Sequence, residues 1–440
     1  MNKYIAQVIN LISDDSQHLW SGDLATARRA VLDADPAAVL AINGSFALVA
    51  QDGERVVLAR SLERPLRYFL AKATEGPVLI VAERIDEIRA ELERRGWNDQ
   101  FHPSYTRMAP AHHVTTLRLI GCPDPNPSYQ RFFDPPRGTL PPDLDAIGRQ
   151  YVGALYNELV GWLAAQDRTA PIGVPFSGGT DSGSVLLCLN KVLLDQGQSP
   201  ARLKAFTLSI DGGGDDARQA REFLRRTNLE MLGETIEVPS SALDPLRAVA
   251  VIEDYKPLDV QCAAVNLALL QEIRARYPDV RLLVDGDGGD ENLKDYPIEA
   301  NSELTIRSVV NNRMLYQEGW GVESLKHSLT YTGGYSRACV RGYACASRYG
   351  FVGFSPYTRP SVIRVAEAIP FAELTRGSHE RLYALKGEIV RRGVRAVLGI
   401  DMPVYPKRRF QHGSAAPETA ARLFTENEVR YRGHFHALHS

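Results

Sequence analysis

Apolar residues recur along this chain in two different patterns, and the change from one to the other falls near residue 140. In the first part, the short apolar runs 46–50 and 56–59 flank Gln51-Asp52-Gly53-Glu54. Asp-Gly between two such runs predicts a β-hairpin. The run 78–81 predicts a further strand, and the stretch near 84–95 a helix, so residues 1–120 read as a small antiparallel β-rich domain. Prolines at 123, 125, 127, 135, 136, 141 and 142 then mark 121–142 as a semi-rigid connector. Proline fixes φ and lacks an amide donor, so this stretch is expected to be neither helix nor central strand. Beyond it, Leu144, Ile147, Tyr151, Leu155, Leu159 and Leu163 recur at three- and four-residue intervals, which predicts an amphipathic helix. Apolar runs at 172–176, 203–210, 235–238 and 281–285 alternate with helical stretches near 183–195, 216–228 and 261–277. That alternation implies a doubly wound parallel α/β sheet within a larger domain, 143–440, whose part beyond about 300 reads as mostly helical.

Two segments in the larger domain carry candidate chemistry. In such a sheet, ligands bind beyond the carboxyl ends of the strands, where both segments are expected. Ser177-Gly178-Gly179-Thr180-Asp181-Ser182 follows a predicted strand and opens a predicted helix. Its glycines let the backbone approach an anion, the amides of the helix start face it, and Ser177 and Ser182 add hydroxyls. The loop lacks the Gly-Lys-Ser/Thr ending of kinase and GTPase phosphate loops. Asp181 would repel phosphate unless a cation lay between, which points to Mg²⁺. The second segment, Asp285-Gly286-Asp287-Gly288-Gly289-Asp290-Glu291, gathers four carboxylates that destabilise one another without a cation or hydrogen bonds. An EF-hand is excluded because Asp290 stands where that loop needs glycine. Taken singly, the segments are also consistent with a glycine-rich turn before a helix and a solvated acidic turn. In this order, they read as two halves of a site that splits ATP into AMP and pyrophosphate.

Composition narrows the picture. Hydrophobic residues make up 44% and charged residues 24% of the 440, as in ordinary globular proteins. The net charge of -2 argues against a nucleic-acid footprint. Cys122, Cys188, Cys262, Cys339 and Cys345 are scattered, odd in number and never arranged as CxxC, the pattern of free thiols in a reducing compartment. No run of about 18 apolar residues suggests a membrane span, and the N-terminus lacks the apolar core of a signal peptide. A cytoplasmic location is expected.

The two segments, with Phe206-Thr207-Leu208-Ser209-Ile210-Asp211 between them and Tyr296-Pro297 after them, resemble asparagine synthetase. They equally resemble relatives that form amide bonds in natural products, such as β-lactam synthetase, carbapenam synthetase and lasso-peptide cyclases. The resemblance covers most of 143–415 and implies an ATP-pyrophosphatase domain that uses ATP and Mg²⁺. It would place Ser177, Gly178, Gly179, Asp181, Ser182, Leu208, Ser209 and Gly286 on ATP, with Asp181 and Asp290 holding the metal. Asp287 would lie near the reacting groups. Tyr383-Ala384-Leu385-Lys386 and Pro406-Lys407-Arg408-Arg409-Phe410 resemble the family segments that each supply a lysine. Lys386 would bind pyrophosphate, and Lys407 would stabilise charge that develops during adenylation and amide formation.

Two departures shape the functional expectation. Ile42-Asn43-Gly44-Ser45-Phe46, Leu58-Ala59-Arg60-Ser61 and Arg64-Pro65-Leu66-Arg67-Tyr68 resemble part of the family's Ntn-type glutaminase domain. That domain begins with a nucleophilic cysteine after the initiator Met, and here Asn2 takes the place. The unit therefore reads as a degenerate, structural remnant without glutamine hydrolysis. Val352, Phe354 and Arg359 replace the Glu, Arg and Asp of Gly-x-Glu-x-Arg-x-Pro-Phe-Leu-Asp in asparagine synthetases, which argues for a carboxylate less polar than aspartate. Asp254, Glu291, Tyr349 and Val352 are candidate substrate-binding residues. Glu253, Lys256 and Asp259 share the loop of Asp254, which is equally readable as a solvated charge cluster. Tyr349 reads as either a proton relay or a core tyrosine. His412 is a weaker candidate for the site. His112-His113 fit a surface loop, and His434, His436 and His439 fit a tail. The chain thus reads as an AMP-forming carbon–nitrogen ligase that couples a small-molecule or peptide carboxylate to an amine. It is expected to need neither nucleic acid nor membrane, and its homo-oligomeric state stays open. An ammonia-using asparagine synthetase and a nucleotide-binding scaffold are the alternatives.

Overall fold

A computed structural model describes residues 5, 7–118, 127–295, 298, 305–311, 337–406, 413–424 and 428–440, with 337–340 through their backbone only. Asn2, Tyr296, Pro297, Lys407 and His412 lie outside these residues, as do Cys122 and the side chain of Cys339. The three other cysteines, Cys188, Cys262 and Cys345, are buried and form no disulfide among the described residues.

The N-terminal unit stacks two four-stranded sheets. One holds Gln7–Asn10, Gly76–Ala82, Arg67–Ala73 and Arg107–Met108; the other holds Ser128–Arg131, His113–Arg118, Arg55–Arg60 and Ala47–Asp52. Side chains alternate between the faces of a strand. Val56, Leu58, Leu79 and Val81 therefore fill the layer between the sheets. Val57 and Ala59 face the helices Leu24–Asp33 and Pro36–Leu40, while Val78 and Ile80 face the helix Ile85–Arg94. The result is four layers: helix, sheet, sheet, helix. The expected hairpin forms, with Asp52 paired to Arg55 across Gly53, whose φ of +56° suits glycine.

One expectation in this region is refined and two are corrected. Ser128–Arg131, inside the proline-rich connector, is an edge strand paired antiparallel to His113–Arg118. An edge strand pairs on one side only, so neighbouring prolines are tolerated. His112 and His113 are buried rather than on a surface loop, with His112 against the ring of Phe133. The C-terminal histidines belong to a helix, Glu428–Leu438, and its end returns to the N-terminal unit. There Arg89 donates to the carbonyl of Ser440 at 2.8 Å. Packing of His439 against Phe435 and Phe101 strips its ring of water and lowers its pKa to about 4.

The larger unit is built on a five-stranded parallel sheet in the order Gly233–Val238, Leu203–Ile210, Ile172–Pro175, Leu282–Val284, Val352–Phe354. The chain starts at the central strand, winds outward on one side, then crosses to the other. The switch of direction falls between Ile172–Pro175 and Leu282–Val284, which pair directly. The loops after these two strands carry the two sequence motifs, so topology brings together segments about a hundred residues apart. The fifth strand was not anticipated, because three residues next to glycines show no periodicity. The helices Leu144–Ala164 and His379–Leu398 cross backbone to backbone at Gly148 and Gly393. A Cβ on Gly148 would lie 2.5 Å from the Ile389 carbonyl oxygen, so side chains there are excluded and the depth of His379–Leu398 is fixed. Among the described residues, no helix is long and apolar enough to cross a membrane.

Candidate functional site

Ser177, Gly178 and Gly179 turn the chain from Ile172–Pro175 into the helix Thr180–Asp195. Gly178 has φ +72°, and a Cβ there would lie 2.9 Å from the Ala220 amide; only glycine fits. Gln219 donates to the Ser177 carbonyl at 3.1 Å and fixes the outer side of the loop. Gly179 caps the helix without a side-chain bond, so no side chain of its own occupies the end where an anion binds. On the facing strand, the acidic segment leads into the short helix Gly289–Leu293. Asn292 anchors this turn by donating to the Tyr357 carbonyl at 2.9 Å and to the Tyr151 hydroxyl at 3.2 Å. The two segments meet without intervening side chains. A Cβ on Gly286 would lie 2.9 Å from the Ser182 amide, and one on Gly289 would run into the Asp181 carboxylate. Glycine at 286 and 289 is thus what lets Asp181 and Asp290 converge.

They converge on Lys386. Its ammonium bonds Asp181 at 2.5 Å, also bonds Asp290, and lies 3.4 Å from Asp295. Burial opposes its charge, but these carboxylates outweigh that and hold its pKa well above the ordinary lysine value. Asp181 and Asp290 therefore present oxygens from both motifs to one positive charge. That is the donor set of a hard divalent cation, so the pair fits Mg²⁺. Among the described residues no group of three or more His, Cys, Asp or Glu forms a metal cage. A cation here would complete its shell with phosphate oxygens and water, as Mg²⁺ commonly does.

Beside this cluster lies a second group, around Asp285 and Asp287. Asp285 accepts from the Ser355 hydroxyl at 2.6 Å and from the Asp287 amide at 3.1 Å. The helix Arg337–Arg348 walls the group, with Gly342 so close that a Cβ would meet the Asp287 carboxylate. Arg341 lies 3.8 Å from both Asp259 and Glu291. Asp254, Asp259 and Glu291 are all buried. Burial raises the Asp287 pKa well above the ordinary value, and the neighbouring Asp285 adds to it while Arg341 opposes it. Burial likewise raises Asp254. For Asp285, burial outweighs its two hydrogen bonds and lifts the pKa from 3.8 to about 6. Between those values the folded chain holds a proton that the unfolded chain has released. Stability therefore falls as pH rises from about 4 to about 6, and the loss persists above. Asp285→Asn, which keeps both acceptor contacts, is expected to stabilise the protein by about 3 kcal/mol near pH 7.5 and by only about 1 kcal/mol near pH 4.5. Thermal melts at the two pH values check this.

Of the other sequence candidates, Leu208 and Ser209 are buried near the carboxyl end of Leu203–Ile210, with Ser209 donating to the Gly213 carbonyl at 3.3 Å. Asp254 and Glu291 border the Asp287 group. Tyr349 and Val352 do not. Val352 begins its strand, opposite Leu282, so it lies at the amino end of the parallel sheet, away from Asp285. Tyr349, just before it, turns its hydroxyl to Gln271 at 2.9 Å, on an exposed face. Phe354 stacks on Trp162 at 5.1 Å and meets the edge of the Trp20 ring at 4.9 Å, and Arg359 donates to the Gly44 carbonyl at 2.9 Å while covering the same Trp20 ring. These two substitutions serve packing between the units, so they carry no information about the acyl substrate. Glu253, Asp254 and Asp259 are buried, not a solvated cluster, and Glu253 faces the N-terminal unit. Sequence reasoning missed Asp295, Ser355 and Arg341. Asp295 stood in plain view a few residues past the acidic motif; nothing in the sequence singles out Arg341.

No curated protein matches the chain. Residues 164–332 match the family model described as asparagine synthase. That stretch begins before the glycine-rich loop and includes the acidic motif. The chain therefore carries an asparagine synthetase-like domain, the fold of ATP-dependent amide-forming ligases.

Proposed function

We propose that the chain is an AMP-forming carbon–nitrogen ligase acting on a small-molecule or peptide carboxylate. The carboxylate oxygen attacks the α-phosphorus of ATP, the bond to the β,γ-phosphates breaks, and pyrophosphate leaves. An amine nitrogen then attacks the acyl carbon, AMP departs, and the amine loses a proton. The observation that carries this reading is the convergence of Asp181 and Asp290 on Lys386 at the switch point of the sheet. Asp181 and Asp290 would hold Mg²⁺, which supplies charge neutralisation on the phosphates. The amides at the start of Thr180–Asp195 face the phosphate chain, Lys386 balances the departing pyrophosphate, and Lys407 acts where charge develops on the acyl group. In this reading the N-terminal unit hydrolyses no glutamine, and the amine comes from outside or from within the same substrate, as in natural-product amide synthesis. Aspartate stays among the candidate acids, since Phe354 and Arg359 do not bear on the acyl pocket.

The test incubates the full chain with ATP, Mg²⁺, hydroxylamine and a panel of amino and hydroxy carboxylates. Pyrophosphate, AMP and an acyl hydroxamate are expected with at least one acid. ATP binding without pyrophosphate release across the whole panel, aspartate with ammonia included, would favour a nucleotide-binding scaffold.

A further inference from the structure

The N-terminal unit touches the larger one at points next to the acidic pocket, through the short segment 83–86. Glu253, the residue before Asp254, reaches across and accepts from the Ile85 amide at 2.7 Å and the Asp86 amide at 3.2 Å. It thereby caps, from another unit, the helix Ile85–Arg94. Arg67 lies 3.3 Å and Arg84 3.6 Å from the same carboxylate. Arg84 also donates to the carbonyls of Val251 at 2.8 Å and Ala250 at 2.9 Å. Glu253 itself has φ +51°, a left-handed conformation that a side-chain-bearing residue keeps only when its surroundings enforce it. From the same segment, Glu83 accepts from the Tyr343 hydroxyl at 3.2 Å. Glu83 is paired to Arg64, whose guanidinium lies 5.4 Å from the centre of the Tyr343 ring. Tyr343 follows Gly342, the glycine pressed on Asp287, and stands two residues from Arg341.

We infer that the segment 83–86 positions the acidic pocket: it holds the Glu253 turn and the Tyr343 helix at once, and so sets where Asp254 and Arg341 stand. The unit that resembles a glutaminase remnant is then a working part of the larger domain. Glu83, Tyr343 and Glu253 act through other residues and are positioning residues. The importance of this for amide formation rests on the functional reading above; the positioning does not.

The experiment uses the full chain with Tyr343→Phe, which removes one oxygen, and separately Glu83→Gln. Losing a hydrogen bond to a charged group shifts a local equilibrium by about tenfold. Hydrogen exchange followed by mass spectrometry is therefore expected to quicken by about that factor in peptides from 250–259 and 341–348. Exchange in Leu203–Ile210 and Thr180–Asp195, and the Kd for ATP with Mg²⁺, should stay at wild-type values. The hydroxamate assay should show kcat falling with KM for ATP unchanged. Unchanged exchange at 250–259 and 341–348 in both variants would overturn the inference, as would a uniform rise over the whole chain. If the wild-type protein forms no hydroxamate, the functional reading fails while the exchange result still decides the positioning.

Discussion

Lys386→Met is expected to lower both activity and stability. In the folded protein the ammonium is buried and is shared by Asp181, Asp290 and Asp295. Methionine keeps the bulk of the side chain but leaves three carboxylates facing one another. Removing one partner of a buried ion pair costs about 3–5 kcal/mol. The low end, about 3 kcal/mol, applies here because Asp290 is 38% exposed and water can hydrate it. The melting temperature should fall accordingly, and Mg²⁺ should recover part of the loss by taking up the Asp181–Asp290 pair. Pyrophosphate formation should drop by about 10²–10³, the usual effect of losing one preorganised charge-stabilising group. A stable variant that still releases pyrophosphate at the wild-type rate would remove Lys386 from both roles.

What the sequence made legible follows from periodicity and local chemistry. The helix Leu144–Ala164 and four of the five strands of the parallel sheet follow apolar patterns in the sequence, and each motif sits directly after a strand. Convergence of the motifs needed only the rule that ligands bind at the carboxyl ends of adjacent strands. The failures share one cause: short-range patterns do not say which way a side chain faces across the fold. Arg341 is one of several arginines on the helix Arg337–Arg348, and only tertiary packing turns it toward Asp259 and Glu291. Val352 and Phe354 were judged by the family pattern at those positions. Strand direction decides the matter for Val352, because in a parallel sheet the residue that opens a strand lies at the end opposite the ligand, and ring packing on Trp162 and Trp20 decides it for Phe354. Arg359 looked like a reversed substrate contact, yet its partners Gly44 and Trp20 belong to the other unit. Contacts between units leave no periodic trace.

Lys407→Ala should separate the two lysines, because it is expected to lower activity without lowering stability. Lys407 lies outside the described residues, but the chain on each side of it is held independently. Before it, Val404 packs on Gly387, the residue after Lys386; a Cβ on Gly387 would lie 2.8 Å from the valine side chain. After it, the Ile210 amide donates to the Ser414 carbonyl at 2.8 Å, at the carboxyl end of Leu203–Ile210. Gly214 and Gly413 approach so closely that a Cβ on Gly214 would meet the Gly413 carbonyl oxygen, and Gly413 sits against Asp216. None of these anchors uses a lysine, so truncation should leave the melt within about 0.5 kcal/mol of wild type. A lysine that meets charge only as it develops contributes to the transition state and not to the resting fold. The expected loss in kcat is therefore about 10²–10³, with the Kd for ATP and Mg²⁺ unchanged. Lys407→Arg keeps the charge but changes its shape and reach, and should recover only part of the rate. Near-wild-type turnover in Lys407→Ala would leave Lys386 as the lysine on which the chemistry depends, whereas a large fall in melting temperature would make Lys407 structural.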